Sequence, residues 1–158
     1  MTFFIISVLA GILYANFLEW GLHKFVLHDL GKNKKSIWSS HFHVHHQNSV
    51  RFEGGDPDYL TFKWSSEKKG LLGLIVLHSP VLLLSVPAFV TLTAYGCAYY
   101  YAHRRSHLDP VWGWKYIPWH MDHHLGAPSK NWCVLFPLAD YILGTRKISR
   151  RNPNYKSA

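Results

Sequence analysis

Two stretches of this chain carry no charge: Phe3 to Leu18, and Gly70 to Ala102. Extended to Trp20, with Glu19 as its one charge, the first predicts a helix of about 27 Å, close to the roughly 30 Å of a bilayer's hydrocarbon core. It reads as a retained span rather than a cleaved signal peptide, because Met1-Thr2 offers no basic leader and no small-residue cleavage site follows. The second block is too long for one straight span and is interrupted by Pro80 and Pro87. Proline is tolerated in the first turn of a helix and breaks its interior. The pattern therefore predicts a hairpin of two helices, 67–85 and 87–106, with a single kinked helix as the alternative. The expected architecture is all-α: an integral membrane protein with about three transmembrane helices (3–20, 67–85, 87–106) below a histidine-rich helical cap. Residues 1–150 form one domain and 151–158 a loose basic tail.

Charge orients this arrangement. The chain has 17 Lys and Arg against 9 Asp and Glu, a formal net charge of +8. The basic residues cluster between the first span and the hairpin (Lys24, Lys32, Lys34, Lys35, Arg51, Lys63, Lys68, Lys69) and after it, from Arg104 and Arg105 onward. By the positive-inside rule the N-terminus lies outside, and the cap and C-terminus are cytoplasmic. Basic residues beside anionic head groups account for the charge, so no nucleic-acid partner is expected. Trp38, Trp64, Tyr99 to Tyr101, Trp112, Trp114, Tyr116 and Trp119 suit an interfacial belt. At 158 residues and 48% hydrophobic, the composition excludes disorder, a collagen repeat and a disulfide scaffold. Cys97 and Cys133 stand in unrelated contexts, which leaves no redox pair or zinc ribbon.

The chemistry lies in twelve histidines. Eleven fall in four groups on the cap side: His23 and His28; His41, His43, His45 and His46; His103 and His107; His120, His123 and His124. On an α-helix, residues three and four apart share a face, so His103/His107 and His120/His123/His124 can each present several imidazoles to one point. At about 100° per residue, His23 and His28 lie about 140° apart and straddle a site. His43 lies about 200° from His41 by the same arithmetic and is left out. His78, inside the hairpin, reads as a neutral imidazole bonded to a helix carbonyl. Clustered imidazoles repel one another if protonated and are costly to desolvate; a shared divalent metal binding the neutral nitrogens resolves both problems. Ten ligands are too many for one ion, and two metals with about five histidines each is the natural count. The HExxH pattern of zinc proteases is absent.

His23-x4-His28, His41-x3-His45-His46, His103-x3-His107 and His120-x2-His123-His124 resemble the histidine boxes of the membrane fatty acid hydroxylase/sterol desaturase superfamily. Asn131 to Thr145, with Asp140 and Gly144-Thr145, is similar to the segment that follows the last box there. The resemblance runs from Glu19 to Thr145. It implies that His23, His28, His41, His45, His46, His103, His107, His120, His123 and His124 hold two iron ions, with zinc as a possible substitute in purified material. It also implies O2-dependent hydroxylation of a membrane lipid, fatty acyl or sterol-like, with electrons from an external ferredoxin or cytochrome b5 type donor and its reductase. Within the superfamily the alternatives are a lipid desaturase or a carotenoid ring hydroxylase, which the short length and Thr93-Ala-Tyr-Gly also suit. In another class, the alternative is a non-redox zinc-binding membrane protein. Asp109, Asp122 and Asp140 are candidates to orient ligand imidazoles. Trp112, Trp114, Trp119 and Phe136 are candidates to line a dry substrate slot, and Arg104 and Arg105 to meet a lipid head group.

Overall fold

A computed structural model of the chain describes residues 1–61 and 63–155. The described residues are helical, with no strand among them. Helix α1 (Thr2–Gly21) runs without a break into a π-helical segment, π1 (Leu22–Leu30). After a turn-rich loop, a second π-helical segment, π2 (His41–His45), continues as α2 (His46–Arg51), and a 3-10 turn follows at Pro57–Leu60. Then come α3 (Ser66–Leu77), α4 (Val81–Leu84), α5 (Val86–Leu108), α6 (Pro110–Tyr116), α7 (Pro118–Leu125) and α8 (Leu138–Ile142).

Local chemistry sets these boundaries. Ser65 caps α3 by accepting from the Lys68 amide, and Ser85 caps α5 by accepting from Ala88 with Pro87 in the first turn. Asp109 caps α6 ahead of Pro110, and Pro118 opens α7. The predicted arm 67–85 is not one helix. It stops at Leu77 and resumes at Val81, because Pro80 has no amide hydrogen and would clash with the carbonyl four residues back. The second arm is continuous, as expected, and runs two residues past its predicted end. Among the described residues only the continuous helix Thr2–Leu30 is both long and apolar enough to cross a membrane. Of the predicted tail, 156–158 lies outside the described residues. Asn152, near its start, is buried and donates to Asp122 Oδ2 at 2.7 Å.

α1 packs along α5 on a stripe of small residues, Ser7, Gly11 and Ala15, each four apart and buried. A Cβ on Gly11 would stand 3.1 Å from Thr91 Cγ2, which shows how closely the backbones approach. Where the stripe ends, polar side chains take over. Asn16 donates to Tyr95 Oη and to the Phe136 carbonyl and accepts from the Ala139 amide. Glu19, also buried, accepts from Tyr95 and from the Val134 and Leu135 amides. These two residues tie α1 to α5 and to the segment between α7 and α8.

The interior is polar and the outside greasy. Ten histidines, Asp122, Asp140, Asn16 and Asn131 are mostly or wholly withdrawn from solvent, whereas Phe3, Phe4, Leu9, Val76, Leu77 and Val90 are exposed, with Leu83 at 88% and Leu84 at 82%.

Glu19→Ala leaves two backbone amides and a tyrosine hydroxyl without an acceptor. It is expected to lower stability by roughly 2–4 kcal/mol, whereas Glu19→Gln, whose Oε1 still accepts from both amides, should lose much less. Thermal melts of both variants and the parent protein measure it, and an alanine variant that melts with the parent would remove Glu19 from this role.

Candidate metal centre

The π-helical segments explain a spacing that α-helical geometry leaves awkward. With i→i+5 hydrogen bonds a π-helix turns roughly 82° per residue, so i and i+5 lie about 50° apart and i and i+4 about 30°. His23 and His28 in π1 therefore point the same way instead of straddling a site. His41 and His46, five apart across π2 and the start of α2, do likewise, while His45 turns away from them. His43 falls on the far side and contacts the Lys32 carbonyl at 2.9 Å. His78 bonds the Leu74 carbonyl through Nδ1, as expected, and Tyr14 Oη through Nε2.

All ten predicted ligands come together, in two groups. In the first, one nitrogen each from His23, His28, His41 and His46 lie within 4.8 Å of one another, and in the second the same holds for His45, His103, His107 and His124. His123 joins the first, its Nε2 3.0 Å from His28 Nε2 and 3.2 Å from His46 Nε2. His120 joins the second, with Nε2 2.9 Å from His107 Nε2. Each adjacent pair is split: His46 and His123 face the first group, His45 and His124 the second.

Hydrogen bonding at the far nitrogen determines what these imidazoles offer. His23 Nδ1 faces the Trp132 carbonyl at 2.6 Å, His123 Nδ1 the Lys130 carbonyl at 2.6 Å, and His107 Nδ1 the Gly54 carbonyl at 2.7 Å. Carbonyls only accept, so each Nδ1 carries the hydrogen and each Nε2 of a neutral ring presents a bare lone pair. The lone pair of His23 meets His41 Nε2 at 3.1 Å. Likewise His45 Nδ1 bonds Asp56 at 2.7 Å and His103 Nδ1 bonds Glu67 at 2.6 Å, while their Nε2 atoms face each other at 3.2 Å. His120 Nδ1 and both nitrogens of His124 are buried with no partner among the described residues. Lone pairs aimed at one another and orphaned buried nitrogens are costly unless a cation stands between them. Burial, and then the neighbouring imidazoles, hold His41, His45, His46, His120 and His124 well below the usual histidine range and push His123 down to about 3, so near neutral pH protons do not supply that cation. Two buried groups of neutral nitrogen donors at this spacing fit two divalent metal ions.

The residues that orient the rings are not the predicted ones. Asp109 caps α6 and pairs with Arg105. Asp122 holds Arg146, Ser149 and Asn152, and Asp140 holds the Trp132 and Cys133 amides and Thr145. None touches an imidazole, although Asp140 shapes the turn that presents the Trp132 carbonyl to His23. Asp56, Glu67 and Tyr59, which donates to Glu67 at 2.8 Å, take that role beside the three carbonyls. Asp56 and Glu67 sit where a cap and a first-turn acid would sit anyway, and nothing in their sequence context marks them. Gly54 has φ +103°, and a Cβ there would run into Met121; only glycine turns this carbonyl onto His107.

A cavity of about 960 Å³ opens beside the first group, between α1 with π1 on one side and α3 and α5 on the other. Its wall is largely aliphatic, runs along α3 from Lys68 and Lys69 to His78, and includes His23. Trp112, Trp114, Trp119 and Phe136 do not line it. Trp112 and Trp119 instead pack around Ala102, Ile117 and Val134, which explains why aromatic content alone pointed to the wrong wall. Arg104 donates to the Tyr59 carbonyl.

Compared with protein-family models, with curated proteins and with solved structures, the chain finds no match.

Lowered histidine pKa values have a definite sign for stability. Above about pH 6.5 these rings are neutral both folded and unfolded and contribute nothing. Below it the unfolded chain takes up protons that the metal-free fold refuses, so stability falls by about 1.4 kcal/mol per pH unit per histidine until the folded value is reached. Melting in chelator should therefore be flat from pH 8 to 7 and drop steeply from pH 6.5 to 4.5; an unchanged melting point across that range would contradict a buried neutral cluster.

Proposed function

We propose that this chain is a membrane-embedded di-metal lipid oxidase of the hydroxylase type, acting on an apolar chain held beside the histidine cluster. One observation carries the reading: ten imidazoles converge as two groups of five, five of them with Nδ1 committed to an acceptor and Nε2 turned inward, and one of them, His23, is also part of the wall of a large apolar slot. The spacing resemblance to the fatty acid hydroxylase/sterol desaturase superfamily supports the same class. His23, His28, His41, His46 and His123 would hold one metal, and His45, His103, His107, His120 and His124 the other. Imidazole suits iron, and a redox-active iron pair supplies, when bound, O2 activation and attack on an unactivated C–H bond.

The chain's own part is positioning and exclusion. Leu18, Leu22, Val26 and Leu71 keep water from the slot, so that an aliphatic segment gains by entering. His23 brings the edge of the first group to that segment. The Trp132, Lys130 and Gly54 carbonyls and the Asp56 and Glu67 carboxylates fix the imidazole tautomers, so the Nε2 lone pairs are set before any metal arrives. Exposed leucines, valines and phenylalanines around a polar interior suit lipid contact, and the small-residue stripe on α1 suits helix packing in lipid, where close approach takes the place of hydrophobic drive. In this reading α1, α3 with α4, and the first part of α5 lie in the bilayer. The N-terminus is outside and the basic cap faces the cytoplasm, where an external donor of the ferredoxin or cytochrome b5 type delivers electrons.

Expression in a lipid-producing host under ¹⁸O2, beside the His123→Ala/His124→Ala variant, tests this. The expected result is a lipid that gains one labelled oxygen with the intact protein alone, together with about two irons per chain. Loss of two hydrogens without label would make the reaction a desaturation. Zinc alone in iron-replete cells, with every lipid unchanged in the presence of reductant, would overturn oxidation altogether.

A further inference from the structure

The two metal positions are not supported alike. In the first group, the far nitrogens of His23 and His123 donate to neutral backbone carbonyls, those of Trp132 and Lys130. In the second, His45 and His103 donate to carboxylates, Asp56 at 2.7 Å and Glu67 at 2.6 Å, and only His107 donates to a carbonyl. Both carboxylates are fixed in place. Asp56, 4% exposed, also accepts from Asn48 Nδ2 and the Asp58 amide; Glu67 also accepts from Tyr59, whose ring stacks within 7° of parallel on His107.

A carboxylate acceptor makes the imidazole it holds a stronger donor at its other nitrogen, and it places negative charge one ring away from the cation. Two such pairs converge on one position, and the other has none among its resolved Nδ1 contacts. We infer that the position formed by His45, His103, His107, His120 and His124 is the tighter of two inequivalent metal sites, and that Asp56 and Glu67 make it so. The site beside the apolar slot, reached through His23, is then the one that exchanges its metal more readily. The inference rests on the metal-binding reading above and goes beyond it by ranking the two sites and assigning the cause.

The test is a Co²⁺ titration of the purified, metal-stripped full chain, followed by the visible absorption of bound Co²⁺. The parent protein should fill in two phases. His28→Ala/His46→Ala should remove the weaker phase and keep the tighter one. Glu67→Gln removes the charge and keeps an acceptor for His103, with the Tyr59 hydroxyl able to accept from the new amide; Asp56→Asn removes the charge at His45 but also an acceptor for Asn48 Nδ2 and the Asp58 amide. Each should weaken the tighter phase by about 10–100-fold and leave the weaker one in place. The two substitutions lie on different elements, so misfolding of one leaves the other informative. An unchanged tight phase in Glu67→Gln and Asp56→Asn would overturn the role of charge, and loss of the tight phase in His28→Ala/His46→Ala would overturn the ranking. Absence of Co²⁺ binding in the parent protein would instead overturn the metal reading itself.

Discussion

Everything in this molecule is arranged around nitrogen lone pairs that face one another. Nine of the ten imidazoles withdrawn from solvent, several with Nδ1 committed to a carbonyl or carboxylate, meet at Nε2 to Nε2 separations of 2.9 to 3.2 Å. Without a cation that geometry sums repulsion and desolvation at the centre of the fold. The surrounding contacts do not relieve it; they hold it in place. Glu19 and Asn16 pin α1 to the segment after α7, that segment presents Trp132 and Lys130, and those carbonyls set His23 and His123. A fold that spends its polar contacts on holding unsatisfied donors is one whose stability is completed by what those donors bind.

The sequence exposed the donors well and their scaffolding poorly. His103/His107 and His120/His123/His124 were legible because α-helical periodicity brings residues three and four apart onto one face, and α5 and α7 are ordinary helices there. His23/His28 and His41/His46 are five apart, and α-helical arithmetic splays them; the π-helical turns that realign them leave no compositional mark. The partners on the far nitrogens were harder still. Three of them are backbone carbonyls, which any residue carries, and Asp56 and Glu67 also look like routine helix-start acids. The acids that drew attention instead, Asp109 and Asp122 beside histidine boxes and Asp140 in the segment after the last one, brace loops and caps.

The apolar blocks were legible as helices because length and hydropathy are local properties. The break at His78–Pro80 was signalled by its proline, but its consequence was not. A first arm divided into α3 and α4 packs against α5 incompletely, and the space left between α1, α3 and α5 is the slot. Aromatic content near the last histidine box suggested a different wall. Those rings fill the junction of α5, α6 and α7, where large flat side chains seal a core made of few aliphatic residues.

The adjacent pairs His45-His46 and His123-His124 reveal why π-helical turns are used at all. Neighbours on a helix diverge by about 100°, so each pair sends one ring to each position and thereby sets how far apart the positions stand. Once His46 is committed to the first group, a further ligand to that group from the same segment must lie on its face. Position 42, four residues back, would serve in an α-helix, and it is Phe42. His41, five back, reaches that face only if the turn widens. π2 is that widening, and π1 does the same for His23 and His28. π-helical turns are weaker than α-helical ones and persist where something else compensates. Both occur here at histidine pairs spaced five apart that converge on the same group, so the widened turns and the convergence of the first group have one cause.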